Sequence, residues 1–194
     1  MDKRSRPMSL ARLAVGLTLL AGCSTSIAYQ PIGDTAPAAA KTVALKVLDE
    51  RPADHGGADK RVIGNVRGSY GIPASVADSN PNIVIDTVSQ ATADALARAG
   101  VGVGTGGHTL VGTVKHYWMD GFTTYKGTVT VSYALMDASG TATWTKEITD
   151  GSGGAPVFKS ASALTRDIFG AALSDLAQQA ATEFQSAEFQ NALK

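Results

Sequence analysis

A few residues in this sequence are of types that do chemistry. Cys23, the chain's single cysteine, ends the run Leu20-Ala21-Gly22-Cys23. A thiol directly after two small residues is placed for acylation at sulfur and cleavage on its amino side. Asp54, His55 and Asp59 are of types that ligate a divalent ion. Glycines separate them and no second histidine is near in sequence, so a solvated loop is expected. His108 and His116 fall on one strand, about 26 Å apart at strand rise, too far to share a metal; His116 is expected to pack beside Trp118. Gly102-Val103-Gly104-Thr105-Gly106-Gly107 spells the dinucleotide pattern G-x-G-x-x-G. It follows a helical pattern and leads into a strand, the reverse of what pyrophosphate binding at a helix N-terminus requires. Ser69, in Gly68-Ser69-Tyr70-Gly71, lacks the spacing of a nucleophile elbow. Asp49-Glu50 closes a strand and is expected to cap it or bind Arg51. Lys60, Arg61 and Arg67 give the following loop a positive character. No catalytic residue, cofactor or metal site is expected, and the chain reads as non-enzymatic.

Upstream of Cys23 stand Lys3, Arg4, Arg6 and Arg12, then the apolar run 13–20. A basic n-region before a short h-region is an export signal, too short for a membrane-spanning helix. Processing at small residues alone gives no reason for a cysteine at the junction, and the segment resembles the lipobox of bacterial lipoproteins. Residues 1–22 are therefore expected to be removed as a signal peptide, leaving 172 of the 194 residues. The loss takes four of 17 basic and one of 17 acidic side chains, leaving 13 against 16, about −3. Such a body has no electrostatic footprint for nucleic acid and no polybasic patch for anionic lipid. Attachment to the membrane must come from acyl chains on Cys23, for which two anchoring signals suffice. With that sulfur acylated, no thiol remains for a disulfide. Ser24 rather than aspartate after the cysteine points to the outer membrane, facing the periplasm.

The elements follow from local pattern. Residues 23–40 hold the lipidated cysteine and a Ser/Ala/Pro/Thr-rich stretch that reads as a flexible tether of roughly 20–25 Å, and 41–194 read as a single globular α/β domain. Alternation over 42–48 predicts a strand. The stretch 49–79 is a long loop, of a length usually functional or disordered, with a short strand at 61–63. Asn80-Pro81 is placed to cap and open a helix that Gly100 ends. Strands follow over 109–119, 125–136 and 141–149, then a long amphipathic helix over 160–184 and a last turn at 186–193. The expected fold is a two-layer α/β sandwich. Its sheet is four-stranded, mixed and mostly antiparallel, with two helices on one face in the order β-α-β-β-β-α.

Several short motifs recur together. They are the strand end Val47-Leu48-Asp49-Glu50-Arg51, then Val62-Ile63-Gly64, Ala97-Arg98-Ala99-Gly100 and the Phe189-to-Leu193 tail behind a long helix. With the lipobox ahead of them, the chain resembles the YajG-like family of uncharacterised bacterial lipoproteins. The resemblance implies an envelope lipoprotein and brings no catalytic residues. The element order is also similar to small envelope modules that dock on partners, such as penicillin-binding-protein activators and outer-membrane assembly lipoproteins, in architecture only. Strand parity places Trp118 and Trp144 on the helix-covered face. It places Tyr117, Met119, Thr128, Thr130 and Ser132 on the other face, a candidate partner-binding surface. The expected function is a lipid-anchored binding or assembly module with an envelope protein partner. A periplasm-facing small-ligand carrier or hydrolase is the alternative.

Overall fold

The computed structural model describes residues 27–33, 36–67, 69–121, 125–153 and 160–194. Cys23 and the signal segment lie outside the described residues. The strands are β1 (Lys41–Asp49), β2 (Val62–Arg67), β3 (Pro73–Ala77), β4 (Val101–Val103), β5 (Thr109–Gly121), β6 (Lys126–Met136) and β7 (Ala142–Gly153). The helices are α1 (Ile83–Arg98), α2 (Ala161–Gln185) and α3 (Ala187–Ala192), with 3-10 turns at Ala53–His55 and Ser69–Gly71.

The sheet is mixed, as expected, but curled and seven-stranded rather than four-stranded. The additional strands β2, β3 and β4 are three to six residues long. Strand β2 extends the short strand read at 61–63, whereas β3 and β4 carry too little alternation to be read; they form because a neighbour supplies the hydrogen-bond ladder, β2 for β3 and β1 for β4. Strand β5 stands at the centre of the sheet. Its first half pairs in parallel with β1, from Ala44 opposite Thr109 to Asp49 opposite Val114. Its far end pairs in parallel with β2, Gly64 opposite Met119. The other edge of β5 takes the β6–β7 hairpin ladder in antiparallel register.

Both long helices pack on one face, α1 against β1, β4 and β5 and α2 against β6 and β7. Ser160 caps α2 by accepting a 3.3 Å hydrogen bond from the Ala163 N–H. Helix α1 begins at Ile83, later than the Asn80-Pro81 start predicted. The Asn80 side chain accepts from the Asn82 N–H at 2.9 Å and donates to Asp86 at 2.8 Å, which folds Pro81 and Asn82 into a turn ahead of the helix. Two buried tyrosines reach across from the sheet. Tyr117 stacks on Phe169 of α2 with ring centroids 4.2 Å apart, and Tyr133 meets the Thr92 hydroxyl of α1 at 3.0 Å.

The tether expected over 23–40 is not a free coil where it is described. Ile27 and Tyr29 are 3% and 6% exposed and belong to the same apolar cluster as the helices. The Ser/Ala/Pro composition concealed them because two apolar side chains make no period.

Strand β5 also corrects the expected faces. Leu110, Gly112 and Val114 alternate toward the helices, and then a β-bulge inserts Lys115, so that Val114 faces Val131 while His116 faces Thr130. An extra residue shifts the pleat by one and exchanges the two faces beyond it. Tyr117 and Met119 therefore turn inward and are fully buried, not part of an open face. Trp118 turns to the face without helices. Trp144 lies under α2 and α3 as expected, 4.9 Å from the Phe189 ring.

Candidate functional site on the open sheet face

The long loop after β1 is organised by Arg51. Its side chain is fully buried, and the guanidinium donates to the Asp49 carboxylate, to the carbonyls of Lys60 (2.9 Å) and Val62 (2.8 Å), and at 3.4 Å to that of Tyr117. One side chain thereby ties β1, the loop, β2 and β5 together. Asp49 is the partner predicted. Burial alone would raise its pKa. The hydrogen bonds from the Arg51 side chain and backbone, with the charges of Arg51 and Lys60, outweigh burial and hold the carboxyl below 3.8.

Gly56 closes over this anchor at φ +91°, and a Cβ there would stand 2.3 Å from both the Arg51 guanidinium and the Val62 carbonyl. The close approach turns the 3-10 turn Ala53–His55 back over the sheet. His55 thus stands edge-on to Trp118 at 4.8 Å between ring centroids and 5.4 Å from His116. The histidines that are far apart in sequence are neighbours in space, through the fold of the loop and the bulge in β5. Burial, then the charges of His55 and Arg51, lower the His116 pKa below 6.5.

Beside this cluster lies a cavity of about 280 Å³ lined by His55, His116, Trp118, Asp120, Lys126 and Thr128. On the other side of Trp118 a second cavity, of about 270 Å³, is bounded by Asp54, Asp59, Asn65 and Ser75 among others. Thr128 and Thr130 continue the open face along β6, where Thr130 shares a 3.1 Å hydroxyl bond with Thr149. Ser132 follows opposite Glu147. The arrangement is a shallow amphipathic surface, with an indole and two imidazoles at one end and hydroxyls along the rest.

The acidic residues of the loop are engaged locally. Asp54 lies 3.1 Å from His55 Nδ1, and Asp59 pairs with Arg61 at 2.9 Å. Among the described residues no group of three or more His, Cys, Asp or Glu is placed to hold a metal ion. Lys60 bonds the Asp49 carbonyl at 3.0 Å, so the positive character read from the loop is partly spent within it. The glycine-rich run begins as β4 and then bends over the start of β1. A Cβ on Gly106 would lie 2.4 Å from the Thr42 carbonyl, and the Gly104 N–H donates to Val43 at 2.9 Å. Gly106 thus serves a close backbone approach, while Gly104 and Gly107 stand in open space. Ser69 opens the second 3-10 turn. Among the described residues no helix is long and apolar enough to cross a membrane.

No protein-family model and no curated protein matches the chain. The fold is similar to that of protein XCC0632 from Xanthomonas campestris, of the DUF330 family. The TM-score is 0.58 at 14% identity, covering 88% of this chain and 98% of that one. At such identity the likeness is one of fold. Two lipoproteins are more distantly similar. The minor lipoprotein from Acinetobacter baumannii has a TM-score of 0.44 at 15% identity, covering 77% and 93% of the two chains. Lipoprotein GNA1162 from Neisseria meningitidis has a TM-score of 0.35 at 14% identity, covering 71% and 99%.

Proposed function

We propose that the chain is a lipid-anchored, non-enzymatic envelope module of the YajG-like kind, held through acylated Cys23 in the outer membrane and facing the periplasm. The single observation that carries this reading is the sequence context of Cys23: a basic n-region, a short apolar run and Leu20-Ala21-Gly22 before the only thiol. Mass spectrometry of the membrane fraction should find a diacyl- or triacyl-cysteine at the mature N-terminus. Cys23→Ala should release the protein from membranes; a variant that stays membrane-bound without lipid would sink the reading. Density-gradient fractionation tests the choice of membrane, and sedimentation wholly with inner-membrane markers would overturn it.

The working surface in this reading is the open sheet face beyond the bulge, and its partner is another envelope protein. Trp118 with His55 and His116 supplies an aromatic end, and Thr128, Thr130 and Ser132 supply hydroxyls. Aromatic residues are enriched at such interfaces. Crosslinking in cells from position Thr128 should capture one partner that a Thr130→Lys, Thr145→Lys double variant loses. Unchanged crosslinks would remove the docking surface.

A further inference from the structure

The chain between Cys23 and the folded domain is short. Ile27, four positions after Cys23, is already buried in the apolar core. From there the segment runs along the outer side of the helix layer. Ala28 and Gln30 line a cavity of about 280 Å³ with Arg166, Gly170, Ala171 and Ser174 of α2. The Tyr29 hydroxyl donates to Asp94 of α1 at 2.6 Å, and the Ile32 N–H donates to the same oxygen at 3.3 Å. Arg98, on the next turn of α1, bonds the Ile32 carbonyl. Asp94 and Arg98 thus clamp the segment in the groove between α1 and α2, on the side away from the sheet.

Four residues fully extended reach at most about 14 Å. A domain of this size has a radius of gyration of about 15 Å, hence a diameter of nearly 40 Å. The reach is well under the diameter, so the domain cannot swing round to present its far face to the surface that holds the anchor. We propose that the outer face of the α1–α2 layer rests on the phospholipid headgroups of the leaflet carrying the Cys23 acyl chains, with the open sheet face pointing away from it. The inference rests on acylation of Cys23. The face carries Arg166 beside Asp167, charges of both signs, so the short covalent link sets the contact and not attraction to anionic lipid. The same geometry turns the threonines of β6 and β7 away from the membrane, toward a partner.

The test uses the full-length lipidated protein in vesicles of phosphatidylethanolamine and phosphatidylglycerol. Ala171→Cys on α2 and Thr145→Cys on β7, both exposed positions, each carry a fluorophore; Cys23 is acylated, so the introduced thiol is the only one to react. With a headgroup-attached quencher, the label at position 171 should be quenched several-fold more than the label at position 145. Inserting about ten Gly/Ser residues before Ile27, a flexible span of about 17 Å on average, should erase the difference while the protein still floats with the vesicles. Equal quenching at both positions in acylated, floating protein overturns the orientation alone. Protein whose intact mass shows no acyl group and that does not float overturns the anchoring reading and the orientation with it.

Discussion

Asp49 grips Arg51, two residues along its own chain, through paired hydrogen bonds, Nε to Oδ1 and Nη2 to Oδ2, each 3.0 Å long. A bidentate carboxylate–guanidinium pair fixes the plane of both groups. Here that plane aims the remaining guanidinium N–H groups at carbonyls of the loop and of β5. The pair converts a long connection into a shaped cover over the sheet. Removing the cation should leave a buried carboxylate and several carbonyls without their donors.

Arg51→Met should therefore lower the unfolding free energy by about 3–5 kcal/mol, the range for breaking a buried ion pair, as read by urea denaturation. The acid limb gives a second readout. The Asp49 pKa lies below 3.8 in the folded chain. Its contribution is therefore present above that value and lost as pH falls through the folded pKa. Asp49→Asn should make the loss of stability below pH 3.8 shallower.

Tyr117→Ala should cost about 3–5 kcal/mol, the usual figure for deleting a buried ring. Its stack on Phe169 and full burial require this. Thr130→Lys on the open face should change the thermal midpoint little, because the half-buried threonine loses one exposed hydroxyl bond. Comparable losses in both variants would mean that the faces beyond the bulge are wrongly assigned.

Gly56→Ala should destabilise the loop for two independent reasons. The residue sits at φ +91°, where a side chain is strained, and its Cβ would meet the Arg51 guanidinium and the Val62 carbonyl at 2.3 Å. Hydrogen exchange should quicken over the 3-10 turn and β2 while the helix layer stays protected. Uniform loss of protection would indicate that the loop is not a separate unit.

The helix-on-sheet layering was legible because its signals are long. The 3.6-residue period of α2 and the alternation of β6 and β7 leave little choice of face, and Trp144 fell where parity put it. Asp49 and Arg51 could be paired from sequence because they are adjacent in the chain. The site around Trp118 could not be read. It depends on a bulge at Lys115, an exposed polar residue with nothing local to mark it, and every side chain beyond it changes face. The proximity of His55 to His116 depends on the same bulge and on a loop held by a single arginine. An unusual apolar run offered a hint: Tyr117, Trp118 and Met119 stand in succession at the end of an otherwise alternating strand, and all three find cover, two beneath the helices and one beneath the loop. Ile27 and Tyr29 were hidden for a simpler reason, that packing in an interhelical groove needs only two well-placed side chains.

The last prediction concerns His116 and the cover over Trp118. Burial is the main cause that holds the folded His116 pKa below 6.5, aided by the charges of His55 and Arg51. The unfolded chain therefore binds more protons in the window between that folded value and 6.5. Stability contributed by this site must fall as pH drops from about 6.5 through the folded pKa. Urea unfolding at about pH 7.5 and about pH 5.0 should show a lower midpoint at the acid value. In His116→Asn, which cannot be protonated there, the difference should shrink. A Trp144→Phe background leaves Trp118 as the only indole, so its emission reports the site directly. Protonation of His116 should loosen the imidazole cover and shift that emission to the red before global unfolding begins. The His116→Asn variant should lack this early shift. An early shift that persists in the variant would assign the response to another group, and the absence of any pH effect on Trp118 would place His116 outside the cover.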